Sequence, residues 1–163
     1  MNGIYLLMGS NMGNRLAYLR EATRLLSTYG IQVLDESSIY ETAPWGPKDQ
    51  SWFLNIVVEV VTSKDPSTLL SCILEVERTL GRVRKEKWGE RCIDIDILYY
   101  HDEIITRETL SIPHPGIPDR KFTLVPLVEM APLELHPSLQ KNQMELLAAC
   151  TDSLDCKLTE FKL

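Results

Sequence analysis

Apolar residues recur along this chain with two periods, and the alternation between them lays out the elements. Residues 4–8 form a short apolar run closed by Gly9-Ser10-Asn11, which reads as a strand ending in a turn. Leu16, Leu19, Ala22, Leu25 and Leu26 then recur at helical spacing and predict a helix over 14–28, with Gly30 as its stop. Residues 31–40 read as a second strand and 52–61 as a strong third, with Asn55 among its apolar neighbours. Two prolines and a glycine make 41–50 a loop. Asp65-Pro66 is a helix start, an N-cap followed by proline at the first position. Leu69, Leu70, Ile73, Val76 and Leu80 supply that helix's buried stripe, and Gly81 closes it. Residues 93–100 predict a fourth strand and 103–105 a short hairpin return. A proline-rich loop follows at 112–120, then short helices at 122–130 and 142–150, and a closing strand at 157–162. The order β-α-β-β-α-β with a tail predicts an α+β fold, a ferredoxin-like core with extra C-terminal elements. Its sheet is antiparallel with helices on one face; the first and third strands lie centrally and the fourth at an edge.

The fourth strand carries the chemistry. Side chains alternate across a strand, so Asp94 and Asp96 share a face while Ile93, Ile95 and Ile97 turn into a core. At roughly 3.3 Å per residue the two aspartate Cα atoms stand about 6.6 Å apart, close enough for both carboxylates to reach one ion cluster. The loop running into this strand holds Arg82, Arg84, Lys85, Lys87 and Arg91 against Glu86 and Glu90. Carboxylates hold Mg²⁺, Mg²⁺ binds phosphates, and arginines neutralise phosphate oxygens. An Asp-x-Asp alone marks little, and two exposed acids pairing with nearby arginines is the plain alternative; a polyphosphate substrate accounts for both halves together. If the strand phase reaches back to Cys92, that thiol shares the aspartates' face; otherwise it is a small buried hydrophobe.

Composition narrows the partners. The net charge is −6, and residues 81–91 alone carry +3, leaving −9 elsewhere. An acidic chain with one basic loop suits a small polyanion better than nucleic acid. With 163 residues, 44% of them hydrophobic, one domain spanning 1–163 can bury a real core. No apolar run is long enough for a membrane span, and the N-terminus lacks the basic region of a signal peptide. Cys72, Cys92, Cys150 and Cys156 form no C-x-x-C pair, so free thiols in the cytoplasm are expected. No G-x-x-x-x-G-K-[ST] loop occurs, and GSNMGN reads as a tight turn. Trp45 is either a plug on the core or a lid over a ligand. Asn55 taken alone is structural, Glu77 pairs with a loop arginine or faces a ligand, and His114 on its own is a surface histidine. His114 and Arg120 are candidates to join the basic loop.

In order, GSN at 9–11, YETAPWG at 40–46, DQSWFLN at 49–55, GRVR at 81–84, WGERCIDIDI at 88–97, PHP at 113–115 and RKFTLVPLVEMAP at 120–132 span most of the chain. Together they resemble the 6-hydroxymethyl-7,8-dihydropterin pyrophosphokinases, which transfer pyrophosphate from ATP to the pterin hydroxymethyl group and release AMP in folate biosynthesis. The resemblance implies roles. Asp94 and Asp96 match the pair that holds two Mg²⁺ ions along the ATP triphosphate. Arg82 and Arg84 match arginines of a mobile catalytic loop, and Trp88 and Arg91 its far end, which closes on the bound substrates. His114 and Arg120, with Arg84 and Arg91, match ATP-phosphate binders, and Glu77 matches a group near the adenosine. Thr42, Ala43, Trp45 and Asn55 match the pterin pocket, partly through backbone atoms. Phe53 and Phe122 match the aromatics that sandwich the ring.

Two residues depart from the pattern. Glu90 stands where W-G-P-R is expected, which removes a fixed φ and adds a negative charge beside phosphate-binding arginines. Leu74 stands where some members carry a polar residue near the nucleotide. The implied reaction needs positioning and charge neutralisation, with no dedicated general base among the residues of the Asp-x-Asp segment. A nucleic-acid module of the same topology would need stacked aromatics on the sheet, and the R-G-F-G-F-V type of motif is absent. A metal-dependent nuclease or phosphatase would need more carboxylates than these two. The expected partners are two small molecules, with no nucleic acid and no membrane; the default expectation for the assembly is a monomer.

Overall fold

The computed structural model describes residues 2–45, 49–82 and 89–163. Its centre is β1 (Ile4–Ser10), buried along its whole length. Being covered on both faces, it needs apolar residues at every position but the last two, Gly9 and Ser10. β4 (Phe53–Val61) pairs antiparallel with β1 on one side, Leu7 opposite Val57 and Gly9 opposite Asn55. β5 (Asp94–Tyr100) pairs antiparallel on the other, Leu7 opposite Asp96 and Gly9 opposite Asp94. The outer side of β4 carries β2 (Gln32–Glu36) and β3 (Tyr40–Thr42), and β8 (Cys156–Leu158) from the tail extends the sheet beyond β3. With the helices between them, these strands give the antiparallel ferredoxin-like core that the element order predicts.

α1 (Arg15–Thr28) and α2 (Pro66–Thr79) cover one face of the sheet. Asn14 caps α1 by accepting the Ala17 N–H, and Asp65 caps α2 by accepting from Ser67 and Thr68. Leu6, Met8, Ile56, Ile95 and Ile97 point into this layer against Leu19, Leu26, Leu69 and Ile73. The opposite face is covered at one end by α3 (Lys121–Met130) and α4 (Gln143–Ala149), which pack Leu124, Leu127 and Leu146 on Tyr5, Leu7, Val57 and Tyr99. Residues nearer Gly9 on that second face lie beyond these contacts and open to a cleft.

Three predicted segments differ in detail, and the open reading of Cys92 is decided. The strand expected over 31–40 is broken because Ser37 uses its hydroxyl in place of the ladder, accepting the Val57 N–H at 3.0 Å. Glu129 then caps the break, its carboxylate accepting from the Ser38 N–H, the Ser38 hydroxyl and the Tyr40 hydroxyl. The hairpin return expected over 103–105 is β6 (Ile105–Thr106), paired with β7 (Ser111–Ile112) in a separate small sheet. The closing strand starts earlier than expected and is only three residues long. Cys92 is buried beside Ile93 in the layer under α1 and α2, off the aspartates' face, because the strand and its alternation begin only at Asp94. Among the described residues no helix is long and apolar enough to cross a membrane.

Candidate active site

The cleft has a volume of about 710 Å³ and lies over the second face of the sheet, where Gly9, Asn55, Asp94 and Asp96 come side by side. Gly9 sits between Asn55 and Asp94 in the strand order. A Cβ there would stand 2.5 Å from the Asn55 amide oxygen, so glycine is required by the close approach. Asn55 is 4% exposed and donates through Nδ2 to the buried Thr42 hydroxyl at 2.7 Å. Phe53, Phe122, Trp45 and Ala43 close this end of the cleft. The Ala43 N–H is already given to the Asp155 carbonyl at 3.0 Å, which leaves only its carbonyl for a ligand. The Arg120 guanidinium lies over the Trp45 ring at 5.1 Å and over Phe122 at 5.9 Å, and so joins the aromatic end to the charged end.

At the charged end Asp94 is held from both sides. Arg82 Nη1 lies 2.5 Å from its Oδ1 and Arg91 Nη1 lies 2.5 Å from its Oδ2. Arg82 also contacts the Glu77 carboxylate. Burial works against the Arg82 charge, but Asp94 and Glu77 outweigh it and its pKa is raised. Glu77 is 3% exposed, and its Oε1 accepts the Ile95 N–H at 2.8 Å, between the two aspartates. Glu77 thus binds both the loop arginine and the strand backbone.

Asp96 lies deeper. Loss of solvent and then the neighbouring Asp94 charge push its carboxyl up to about 7. His114 Nε2 is 3.9 Å from Asp96 Oδ2. Burial, with Arg120 beside it, lowers the His114 pKa to about 4, and Nδ1 accepts the Gly116 N–H at 3.0 Å. The ring is therefore neutral with its proton on Nε2, pointed toward the cleft rather than solvent.

These groups fit a divalent cation of the Mg²⁺ type. Carboxylate oxygens are hard donors, and the mutual repulsion that disfavours ionisation of Asp96 beside Asp94 is what a cation between them would relieve. No group of three or more His, Cys, Asp or Glu that could hold a metal occurs among the described residues. Two carboxylates match Mg²⁺ that keeps water and substrate phosphate as its remaining ligands.

Every expected site residue that the structure describes lines this one cleft: Thr42, Ala43, Trp45, Phe53, Asn55 and Phe122 at one end, and the charged set at the other. Glu77, Arg82, Arg91, His114 and Arg120 stand with the two aspartates there. Arg84 and Trp88, with Lys85 and Lys87, lie outside the described residues. Three residues were not singled out by sequence reasoning. Gly9 and Asn11 read as parts of a turn, and Arg15 falls within the helix predicted over 14–28 with no role of its own. The signal for all three is tertiary contact, which no local spacing encodes.

The family model described as 7,8-dihydro-6-hydroxymethylpterin-pyrophosphokinase (HPPK) matches residues 5–132. A 2-amino-4-hydroxy-6-hydroxymethyldihydropteridine pyrophosphokinase from Methylorubrum extorquens is 46% identical over 133 residues, covering 81% of this chain and 84% of that protein. The protein of the same name from Aquifex aeolicus is 41% identical over 141 residues, covering 86% and 88%. Among solved structures, Plasmodium falciparum HPPK-DHPS wild type with SDX-DHP superposes with a TM-score of 0.72 at 20% identity. That match covers 91% of this chain and 43% of the other, so the chain spans less than half of the solved protein and the likeness bears on the fold alone.

Proposed function

The chain belongs to the 7,8-dihydro-6-hydroxymethylpterin-pyrophosphokinase family and transfers pyrophosphate from ATP to the hydroxymethyl group of 6-hydroxymethyl-7,8-dihydropterin; we propose the following division of labour in its cleft. The reaction serves folate biosynthesis and releases AMP. The observation that carries the assignment is the single strand row in which Asn55, Gly9 and Asp94 stand side by side, with Asp96 one step along. It sets a polar amide for a heterocycle beside carboxylates for a phosphate-bound cation.

The pterin lies between Phe53 and Phe122, with in-plane hydrogen bonds from Asn55, Thr42 and the Ala43 carbonyl, and Trp45 beside it. A flat polar ring needs aromatic faces and matched donors and acceptors at its edge. ATP lies along the charged end. Asp94 and Asp96 hold two Mg²⁺ ions, which when bound neutralise the triphosphate and orient it. Arg82 and Arg91, released from Asp94, turn to the phosphate oxygens and take the charge that develops on the AMP side. Arg84 and Trp88 belong to the same loop and act with them. His114 donates its Nε2–H to a phosphate oxygen, and Arg120 adds its charge there. Glu77 serves the nucleotide by holding Arg82 and the Ile95 backbone in place. The attacking group is a primary hydroxyl, and placing it in line is the main task, with no dedicated general base.

The same reading gives one domain over 1–163, in which the tail strand β8 completes the sheet, acting as a monomer in the cytoplasm on two small molecules. The four free cysteines support a reducing compartment. Incubation with ATP and Mg²⁺, with and without hydroxymethyl-dihydropterin, tests the assignment. AMP that forms only when the pterin is present is the expected result. Inorganic phosphate released without pterin, or cleaved nucleic acid, would instead make Asp94 and Asp96 a hydrolytic centre.

A further inference from the structure

The turn that leaves β1 does more than redirect the chain. Asn11 is 2% exposed, and its backbone N–H and both ends of its carboxamide are bonded. Its N–H donates to the Arg91 carbonyl at 3.1 Å, and its side-chain Oδ1 accepts the Arg91 N–H at 2.8 Å. Its Nδ2 donates to the Ser51 carbonyl at 3.2 Å. One turn later Arg15 Nη1 donates to the Trp52 carbonyl at 2.7 Å and pairs with Glu41 at 2.8 Å. The segment 51–52, which leads straight into Phe53, therefore has two successive carbonyls fixed from the β1–α1 connection. The residue held on the other side of Asn11 is Arg91, whose guanidinium sits on Asp94. Above this joint Glu90 accepts from the Ser51 N–H at 3.3 Å and from its hydroxyl at 3.1 Å, tying the same two segments directly.

We propose that Asn11 is a positioning residue that fixes the approach to Phe53 and the approach to Arg91 relative to one another, with Glu90–Ser51 as a second tie specific to this sequence. The inference rests on the assignment of Phe53 to the pterin and Arg91 to ATP. Asn11 touches neither substrate. It acts because a carboxamide accepts from one backbone through its oxygen and donates to another through its nitrogen at the same time. Through it, ordering one end of the cleft lowers the cost of ordering the other, so occupation by one substrate strengthens the second. Glu90 in place of a fixed-φ residue makes this joint partly side-chain-borne, which gives that departure a role.

Asn11→Asp tests the idea with little change of shape. It keeps the acceptor for the Arg91 N–H, removes the donor to Ser51, and sets a carboxylate against the Ser51 carbonyl. Pterin affinity is measured by titration calorimetry with and without a non-hydrolysable ATP analogue and Mg²⁺, alongside kcat, KM and Tm. The ratio of the two pterin affinities should fall at least fivefold in Asn11→Asp, with a larger loss in kcat/KM for pterin than in analogue affinity. Glu90→Ala lies on the surface and guards against a folding defect in the first variant; it should lower the same ratio by about twofold with Tm held. A lowered Tm with the affinity ratio unchanged in Asn11→Asp, or an unchanged ratio in a folded Glu90→Ala, would make these bonds purely structural and overturn the proposal. AMP formation by the wild type is run in parallel, so that failure of the substrate assignment is seen separately.

Discussion

At the scale of single residues the site is built on opposed demands. Asp96 is kept partly out of water beside a second carboxylate, so its charge is costly until something cationic shares it. Asp96→Ala relieves that cost and should leave the fold intact, while turnover falls by more than tenfold, about 1.4 kcal/mol or more of transition-state stabilisation. Steady-state kinetics with a pterin titration checks this, and pterin affinity should stay near that of the wild type. Turnover within tenfold would remove Asp96 from the metal assignment. Asn55 is the opposite case, a neutral amide whose loss strands a partner. Asn55→Leu leaves the buried Thr42 hydroxyl without its donor and removes the in-plane recognition, so pterin binding should weaken at least tenfold and ATP-analogue binding hardly at all. Equal losses for both ligands would mark Asn55 as purely structural.

At the scale of elements, packing beyond the sheet is tunable by pH. His136 follows α3 and is buried with its ring edge-on to Tyr99, 5.6 Å between centroids. Its Nδ1 faces the Ser138 and Leu139 N–H groups at 3.3 Å, which suits only the neutral ring. Burial lowers its pKa below the ordinary 6.5. The unfolded chain therefore takes up this proton first, so the contribution is full above pH 6.5 and is lost as pH falls through the folded-state value. Denaturation midpoints at pH 8 and pH 5 should differ less in His136→Gln than in the wild type; equal pH dependence would show that this histidine does not titrate on unfolding. The elements also show what a sequence can and cannot announce. The cap at Asp65, the helix start at Asn14 and the alternation from Asp94 are local, and each was readable. The break at Ser37 was not, because a serine hydroxyl replaces a ladder bond only where Glu129, ninety-one residues from Ser38, is present to cap the kink. Of the two readings of Cys92 the small buried hydrophobe holds, because alternation extrapolated past the end of a strand has no geometry behind it. A bulge acts similarly inside β5. Its register shifts opposite Tyr5/Leu6, so Leu98 and Tyr99 both pack under α3 and α4 and pure alternation fails there.

At the scale of the whole molecule the two layers of helices leave one part of one face open, and that opening is the cleft. The motifs located most of its lining, since each motif residue carries its own chemistry. They did not reveal which residues hold the motifs together. Glu77 read as a ligand or an ion-pair partner, and the structure gives it two protein partners at once. That arrangement has a consequence for solubility. β5 is the end strand of the sheet, and an unpaired strand edge is a template on which a second chain can add and start an aggregate. Here the outward Ile95 N–H is occupied by Glu77, and the Leu98 carbonyl accepts the His114 N–H at 2.9 Å. A buried negative charge thus guards the rim of the sheet from intermolecular strand addition. Glu77→Ala should uncover it, and light scattering at rising protein concentration should show association that the wild type lacks. Glu77→Gln keeps an acceptor for the Ile95 N–H and should remain dispersed. Identical scattering from all three proteins would mean that the rim is shielded by bulk alone.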